Sequence, residues 1–142
     1  MRRVLSTLAI VLILSLVCTG VVLAVDQAVV DAGKAWFTDM KSFNIISTAA
    51  VYKDLARYTI VDVRTEKEFA QGHIEGAINI PLQELADRYD EIPSDKPVIV
   101  HCKSGARSSY ATAFLQMLGY RNVQNMFGGY LDWVDKGYPV VK

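Results

Sequence analysis

The sequence predicts an α/β fold with a central, mostly parallel five-stranded sheet and helices on both faces. From residue 44 onward, short apolar runs alternate with segments of helical periodicity, which is typical of parallel strands joined by right-handed crossover helices. The 142 residues suffice for one domain with a substantial core, and they show no internal repeat and no low-complexity tract. We therefore expect a single α/β domain.

The chain begins with a basic and apolar leader. Arg2 and Arg3 precede an uncharged run over residues 4–25, and small residues lie near Ala24. This order is typical of a signal peptide, residues 1–24, that directs export to the periplasm or another extracytoplasmic space. An apolar run of this length also suffices to span a bilayer, so residues 4–25 alternatively anchor the chain in the inner membrane. We expect no other contact with a membrane.

The segments that follow the leader are assigned in chain order. Residues 25–43 are expected to form an N-terminal helix or linker, because Asp26–Met40 carries apolar residues near one face at helical spacing. Residues 44–142 form the α/β domain. Its strands are predicted where apolar or β-rich runs are bounded by turn residues. They are Asn44–Ile46, Thr59–Val63, Ala77–Ile80, Val98–His101 and Asn122–Met126.

Capping and stop residues place the helices between these strands. Thr65 and Glu68 form a capping box at the start of a short helix. Ser47 or Thr48 caps the helix before it, and Gly119 ends the fourth helix of the domain as its C′ residue. The predicted helices are Ala49–Arg57, 66–70, Leu82–Tyr89, Ser108–Leu118 and Tyr130–Lys136.

Charge and cysteine content exclude several classes of function. The chain has 15 basic and 15 acidic residues, and two of the basic ones lie in the leader, so no basic excess favours nucleic acid. Of the two cysteines, Cys18 lies in the leader and Cys102 in the domain, which rules out a disulfide within the domain. The two histidines lie in unrelated segments and make no metal-ligand spacing with Cys102, so we expect neither a metal nor another cofactor.

The loop from Cys102 to Ser108 carries the clearest chemical signal. It lies between a predicted strand and a predicted helix, and ligands of parallel sheets bind outside the carboxyl ends of the strands. Backbone N–H groups of the loop and the positive end of the helix dipole favour a bound anion there. They should also lower the pKa of the Cys102 thiol from its usual value of about 8.5 and make it reactive. The alternative is a buried, inert cysteine.

Four segments of the chain follow one another in a recognisable order. They are Asp62–Arg64 with Glu68-Phe69, Gly72–Pro81, Cys102–Ser108, and Gly128–Tyr130 with Trp133. Together they resemble the rhodanese family. The resemblance is to small, exported, single-domain rhodaneses, and it implies a three-layer rhodanese-like fold and thiosulfate sulfurtransferase activity. It makes Cys102 the catalytic residue, which accepts a sulfane sulfur from thiosulfate or a similar small anion, becomes a persulfide, and passes the sulfur to cyanide or a thiol. These partners are small molecules, and we expect a monomer.

The remaining loop residues are the predicted substrate-binding residues. Gly105 permits the backbone curl that a ring of N–H groups around sulfur requires. Arg107 either grips the sulfonate oxygens of the donor with its forked guanidinium or is a salt-bridged residue of the first helical turn, and we favour substrate binding. Ser108 either donates its hydroxyl to the anion or caps the helix, and we favour capping. The complete set is Lys103, Ser104, Gly105, Ala106, Arg107 and Ser108, with Lys103 steering anions to the site.

Four polar residues near the loop are expected to be structural. His101 precedes Cys102, but neighbouring side chains of a strand point to opposite faces, which disfavours a general-base role. Asp62 and Arg64 share one side of their strand, and we expect a buried ion pair that fastens loops, with Glu68 as a further partner, rather than a pocket wall. His73 is expected to be a hydrogen-bonded framework residue.

Two rival functions differ from the sulfurtransferase in loop length or in the role of the thiol. Cysteine phosphatases place five residues between cysteine and arginine, whereas four, Lys103–Ala106, separate Cys102 from Arg107, and Ser108 follows. This shorter loop suits a sulfane sulfur better than a phosphate. The second rival is a non-catalytic or redox-sensing rhodanese-like binding module, in which an exposed, acidic thiol is oxidised. Because the cysteine and all residues of its loop are present, we favour the sulfurtransferase over this binding module.

Overall fold

The computed structural model describes residues 26–39, 44–93 and 95–142. The predicted signal peptide over residues 1–24 and the alternative anchor over residues 4–25 lie outside the described residues. Within the described ranges, no helix is both long and apolar enough to cross a membrane. The chain divides into two compact units, which are residues 1–39 and residues 40–142.

Helix α1 (Gln27–Asp39) is the described helix of the first unit. Asp26 stabilises its start, because the Asp26 Oδ1 accepts the N–H of Ala28 at 2.9 Å. None of the helix residues is buried, and the rings of Trp36 and Phe37 pack against each other with centroids 4.8 Å apart. The helix predicted over Asp26–Met40 is present over Gln27–Asp39, and residues 25 and 40–43 of the predicted helix or linker lie outside the described residues.

The second unit is built on one sheet of five parallel strands. Their order across the sheet is β1-β5-β4-β2-β3, and all four neighbouring pairs are parallel. This order places β4 at the centre, between β5 and β2, so the loops that follow these three strands lie at the same edge of the sheet. The strands are β1 (Ile45–Ser47), β2 (Thr59–Asp62), β3 (Ile78–Asn79), β4 (Val98–His101) and β5 (Val123–Phe127).

In the described part of the second unit, four α-helices and three short 3-10 turns lie between the strands, and a fifth α-helix follows β5. Gly119 follows the longest of these helices with φ of 99°, the left-handed conformation of a C′ glycine, as predicted. Thr65 and Glu68 make the predicted capping box. The helices are α2 (Thr48–Lys53), α3 (Glu66–Ala70), α4 (Leu85–Arg88), α5 (Ala106–Met117) and α6 (Gly129–Asp135), and the 3-10 turns are Leu55–Arg57, Leu82–Glu84 and Tyr89–Glu91.

The sheet buries both of its faces, which gives three layers. Along β4, Val98 and Val100 pack into one core with Leu115 of α5, whereas Ile99 between them packs into a second core with Trp133 of α6. The sequence of a strand that is covered on both faces is a continuous apolar run, whereas a strand with one exposed face alternates apolar and polar residues. The predicted three-layer α/β fold is confirmed, and its mostly parallel sheet is parallel throughout.

Two predicted helices are shorter in the structure. The one predicted over Ala49–Arg57 stops at Lys53, because the N–H of Asp54 donates to the Val51 carbonyl at 3.3 Å and a 3-10 turn follows. Four residues of the predicted Leu82–Tyr89 helix are α-helical, and 3-10 turns flank them on both sides. In both places tighter i→i−3 bonds replace the regular α-helical bonds.

Candidate active site

Cys102 lies directly after the central strand β4, at the carboxyl edge of the sheet. The residue is only 1% exposed, and it belongs to the apolar core on the α5 side. The thiol of the redox-sensing alternative was expected to be exposed, and that expectation is wrong. The reason is tertiary, because the loop curls over the sulfur and packs against the turn between β5 and α6.

Hydrogen-bond donors surround the sulfur from within its own loop. The N–H of Gly105 donates to the Cys102 Sγ at 3.2 Å, and the Ser108 Oγ lies 3.5 Å from the same atom. Burial raises the pKa of the Cys102 thiol, but hydrogen bonds from the Ser108 hydroxyl and from the backbone of Ser108, Ser104 and Gly105 outweigh burial, so the pKa lies below its ordinary value. The arrangement thus favours a thiolate.

Gly105 makes the tight curl of the loop possible. Its φ of 100° is in the left-handed region, and it occupies the N-cap position of α5. A Cβ at this position would lie 3.4 Å from the Gly128 nitrogen, so the loop passes close to the β5–α6 turn. Helix α5 therefore begins at Ala106, two residues before the predicted start.

Ser108 has a different role from the favoured prediction. It lies inside the first turn of α5 and not at its cap, because Gly105 already occupies the N-cap position. The Ser108 Oγ lies 2.7 Å from the Asn125 Oδ1 and 3.1 Å from the Gly105 carbonyl, besides its contact with sulfur. A hydroxyl has one proton, so Ser108 donates to one of these acceptors at a time. The capping prediction is wrong, and the hydroxyl faces the reactive sulfur.

Asn125 of β5 was not predicted as a site residue. It is buried, its Oδ1 accepts from Ser108, and its Nδ2 lies 3.4 Å from the Gly105 carbonyl. Its amide thus connects the beginning of the cysteine helix with the neighbouring strand. The predicted strand Asn122–Met126 contains three amide side chains, so residue type alone neither singles out Asn125 nor names its partner.

The Gly128-Gly129 turn supports the back of the cysteine loop. The N–H groups of Tyr130 and Leu131, in the first turn of α6, donate to the carbonyls of Cys102 at 2.8 Å and Lys103 at 2.9 Å. A Cβ on Gly129 would lie 2.5 Å from the Cys102 carbonyl oxygen, and the φ of Gly129 is 60°. Close backbone approach and left-handed geometry therefore both require glycine here.

Arg107 is held by Glu68 of α3. Its Nη1 and Nη2 donate to the two carboxylate oxygens of Glu68, each at 2.8 Å, and both side chains are about 30% exposed. The hydrogen bond from Arg107 is the largest cause that lowers the pKa of Glu68 to about 2, with smaller contributions from Thr65. Glu68 in turn raises the pKa of Arg107. The predicted contact of Glu68 with the Asp62–Arg64 pair is wrong, because Glu68 turns toward the cysteine loop.

The other predicted binding residues, Lys103, Ser104 and Ala106, are exposed at the mouth of the loop. The structure thus divides the loop into a buried side and an exposed side. No group of three or more His, Cys, Asp or Glu residues in the described part of the chain is placed to hold a metal ion.

Asp62 and Arg64 form a buried ion pair behind the loop. The Arg64 Nε and Nη2 donate to the Asp62 Oδ2 at 2.8 and 2.6 Å, and Nη2 also donates to the Gly72 carbonyl at 2.8 Å. The guanidinium carbon lies 3.8 Å from the centre of the Tyr130 ring. The Asn79 amide, which was not predicted, donates to the carbonyls of Asp62 and Arg64. This pair therefore connects β2, the Gly72 turn and α6.

Both histidines make framework contacts. His101 is fully buried, with Nδ1 3.3 Å from the Cys102 carbonyl and Nε2 3.6 Å from the Asp62 Oδ2. Burial lowers the pKa of His101 by more than the nearby Asp62 raises it. The His73 ring stacks on Phe69 at 3.8 Å and contacts the Phe69 carbonyl. His101 thus lies between the Cys102 carbonyl and the Asp62 carboxylate, and His73 contacts the ring and the carbonyl of Phe69.

Comparison with known proteins identifies the family. A model of the rhodanese-like domain matches residues 47–136. A sulfurtransferase of Allochromatium vinosum is 44% identical over 82 residues, which cover 58% of this chain and 77% of that protein. Thiosulfate sulfurtransferase 18 of Arabidopsis thaliana is 41% identical over 95 residues, which cover 56% of this chain and 69% of that protein.

A solved structure has the same fold. The crystal structure of a rhodanese-related protein from Thermoplasma volcanium has a TM-score of 0.67 and 39% identity, over 69% of this chain and 97% of that one. The family model itself covers more than half of the chain, including the strand, loop and helix that carry Cys102. With its parallel sheet, its curled cysteine loop and this match, the chain belongs to the rhodanese-like family.

Proposed function

We propose that this domain is a sulfurtransferase that moves a sulfane sulfur from thiosulfate, or a similar small anion, through a Cys102 persulfide to cyanide or a thiol. The rhodanese-like domain and the sulfurtransferases among its relatives support a general sulfurtransferase role. The observation that carries the proposal is the sulfur of Cys102, which lies at the carboxyl end of the central strand among the N–H and O–H donors of its own loop.

The first step is a displacement at sulfur. The Cys102 thiolate attacks the outer sulfur of thiosulfate, an S–S bond forms to the enzyme, the S–S bond of the donor breaks, and sulfite leaves with the bonding electron pair. The lowered pKa of Cys102 favours the thiolate that this attack requires. The Gly105 N–H and the Ser108 hydroxyl are placed to stabilise the negative charge while it moves between sulfurs.

The second step returns the enzyme to its thiolate. Cyanide attacks the terminal sulfur of the persulfide, the new C–S bond forms, and the Cys102–S bond breaks to release thiocyanate. With a thiol acceptor the same displacement yields an acceptor persulfide. The overall sequence transfers one neutral sulfur atom and requires no external oxidant or reductant.

The structure supports sulfur transfer over the two rival functions. The redox-sensing alternative expected an exposed thiol, whereas residue Cys102 is 1% exposed. A phosphatase requires its loop arginine for the phosphate, whereas two N–H groups of Arg107 already donate to Glu68. The buried sulfur instead suits the narrow terminal atom of a sulfane donor.

The test is thiocyanate formation from thiosulfate and cyanide by the full chain and by Cys102→Ala. We expect the variant to lose at least about a thousandfold in turnover, because it lacks the nucleophile. Intact mass after thiosulfate treatment should rise by about 32 Da in the wild type, the mass of one sulfur, and not in the variant. Cys18→Ala is the matched control, because it removes the leader cysteine and leaves the loop unchanged.

Equal, slow turnover by wild type and Cys102→Ala would overturn the proposal. Hydrolysis of an aryl phosphate by the wild type, without thiocyanate formation, would replace it with phosphatase chemistry.

We further propose that residues 1–24 direct export and are removed. The basic residues, the apolar run and the small residues near Ala24 support this proposal. The intact mass of protein purified from its own cells should correspond to a chain that begins at Val25. A mass that corresponds to the chain from Met1 would instead favour an anchor over residues 4–25.

A further inference from the structure

Glu68 contacts the cysteine loop through its contact with Arg107. Arg107 lies in the first turn of α5, and its Nη1 and Nη2 each donate to one oxygen of Glu68 at 2.8 Å. The Glu68 Oε2 also accepts the N–H of Thr65 at 3.0 Å and its hydroxyl at 2.9 Å. The carboxylate is therefore held on one side by the helix cap and on the other by the guanidinium.

This contact changes what Arg107 offers to an anion. A guanidinium has five N–H donors, and two of those in Arg107 point at Glu68. The Glu68 pKa of about 2 keeps the carboxylate charged at any pH at which a thiolate reacts, so the pair is close to neutral. Lys103 is exposed, and it forms no ion pair with a carboxylate among the described residues. A dianion at the loop thus meets one uncompensated side-chain cation.

We propose that Glu68 sets the anion affinity of the cysteine loop, because it cancels the charge of Arg107 and thereby weakens the binding of dianions. The proposal deepens the sulfurtransferase function and rests on it for the identity of the anion as a sulfur donor. Both thiosulfate and the departing sulfite carry negative charge. A loop with two uncompensated cations would hold sulfite more tightly and delay its release, whereas the Glu68–Arg107 pair limits that retention.

A purely structural role for the pair makes a different prediction. If the contact only joined α3 to α5, loss of the carboxylate would loosen the loop and weaken anion binding. If Glu68 instead cancels the charge of Arg107, its neutral isostere should strengthen anion binding. The direction of the change in affinity therefore distinguishes the two roles.

The first experiment measures sulfate binding to the ¹⁵N-labelled full chain by nuclear magnetic resonance at constant ionic strength. Sulfate is an unreactive dianion, and the Gly105 amide reports on the loop. Glu68→Gln keeps an acceptor for Arg107 and a residue type that suits the capping box. We expect about three- to tenfold tighter sulfate binding by this variant, because one negative charge near the site is gone.

The matched control is Glu66→Gln on the same helix. Glu66 is exposed and makes no ion pair with Arg107. The control removes the same charge from the same segment, and its sulfate affinity should remain within about twofold of wild type. Equal effects of the two substitutions, or weaker binding by Glu68→Gln, would overturn the proposal.

A double variant tests the charge argument from the side of Arg107. The double variant Glu68→Gln/Arg107→Gln replaces an ion pair of zero net charge with a neutral hydrogen-bonded pair. Its sulfate affinity should remain within about threefold of wild type, because the net charge near the loop is unchanged. Binding about tenfold weaker than wild type would show that Arg107 acts on the anion despite Glu68, and would overturn the proposal.

Kinetics then connect affinity to turnover. With thiosulfate, Glu68→Gln should lower KM by about the same factor as the sulfate Kd, and added sulfite should inhibit it at lower concentration. A wild type that binds sulfate but forms no thiocyanate would overturn the proposed function and leave the sulfate comparison intact. Absence of sulfate binding in wild type and Glu68→Gln alike would overturn the present proposal.

Discussion

The two sides of the cysteine loop are built from different interactions. The buried side consists of Gly105, Ser108, Asn125 and Gly129, and it uses backbone approach and neutral hydrogen bonds. The exposed side consists of Lys103 and the Arg107–Glu68 pair, and it uses charge. The strength of short neutral hydrogen bonds in a buried site depends steeply on geometry. Charges near solvent act over longer distances and are screened by salt.

The difference suggests a division of labour. The buried side holds the sulfur in one position and lowers its pKa, so changes there should affect reaction rate and stability together. The proposed function assigns the approach of anions to the exposed side, so changes there should affect affinity with little effect on folding. Substitutions that separate these effects are the means of testing the division.

The largest effect is expected from Gly129→Ala on the buried side. The added Cβ would lie 2.5 Å from the Cys102 carbonyl and would impose a φ of 60° on alanine. We expect a loss of about 3 kcal/mol in the free energy of unfolding and at least a hundredfold loss of sulfur transfer, because the loop must move. Urea unfolding and the thiocyanate assay measure the two effects.

Gly137→Ala is the matched control for backbone strain. Its φ of 72° is also left-handed, but no atom lies within 4 Å of the added Cβ. This variant should lower the free energy of unfolding by about 1 kcal/mol and leave turnover unchanged. Equal losses of stability and turnover in the two variants would show that the close approach of Gly129 to the Cys102 carbonyl contributes nothing beyond backbone strain.

A smaller effect is expected from Ser108→Ala. Its hydroxyl is the largest of the hydrogen-bond causes that lower the pKa of Cys102, so its loss should raise that pKa. The pH profile of Cys102 alkylation should shift to higher pH, and turnover near neutral pH should fall by about tenfold.

Ser109→Ala provides the comparison for Ser108. The hydroxyl of Ser109 is exposed and donates to the Ala106 carbonyl at 2.7 Å, away from the sulfur. This variant should retain the wild-type pH profile. An unshifted profile for Ser108→Ala would mean that the Gly105 N–H and its neighbours suffice, and would place the serine with the structural residues.

The smallest effect is expected on the exposed side, in the pH dependence of stability. The folded-state pKa of Glu68 is about 2, below its ordinary value of 4.5, so its stabilisation is present above about pH 4.5 and is lost as the pH falls toward 2. Wild type should exceed Glu68→Gln by about 1 kcal/mol in free energy of unfolding at pH 7, a modest value because the pair is partly exposed.

Urea unfolding at pH 7 and pH 3 measures this difference. It should narrow at the lower pH, whereas the difference between wild type and Glu66→Gln should change little. A constant difference for Glu68→Gln would show that the carboxylate contributes through packing and not through its charge.

Much of the fold could be predicted because its signals are local. Strand β4 has the predicted bounds, Thr65 and Glu68 form the predicted capping box, and Gly119 ends α5. Each of these depends on residues close in sequence, whose spacing carries the physical constraint. Helix α5 starts earlier than predicted because a left-handed glycine, rather than a serine, takes the N-cap position.

The partners within the site could not be predicted in the same way. Glu68 and Arg107 are 39 residues apart, and Ser108 and Asn125 are 17 apart. Capping logic assigned Glu68 to Thr65 correctly, but a carboxylate has two oxygens and accepts further donors. Which donor it accepts depends on the loops that the strand order brings together. No single segment of the sequence determines that order.

The sequence by itself determined the alternation of strands and helices, the position of Cys102 after an apolar strand, and the segments that resemble rhodaneses. These follow from periodicity, turn chemistry and residue identity, which act over short stretches of chain. Only the tertiary structure decided that the thiol is buried, that Gly129 must pass close to the Cys102 carbonyl, and that Glu68 pairs with Arg107. Those outcomes depend on the placement of β4 between β2 and β5, because it brings three loops to one edge of the sheet.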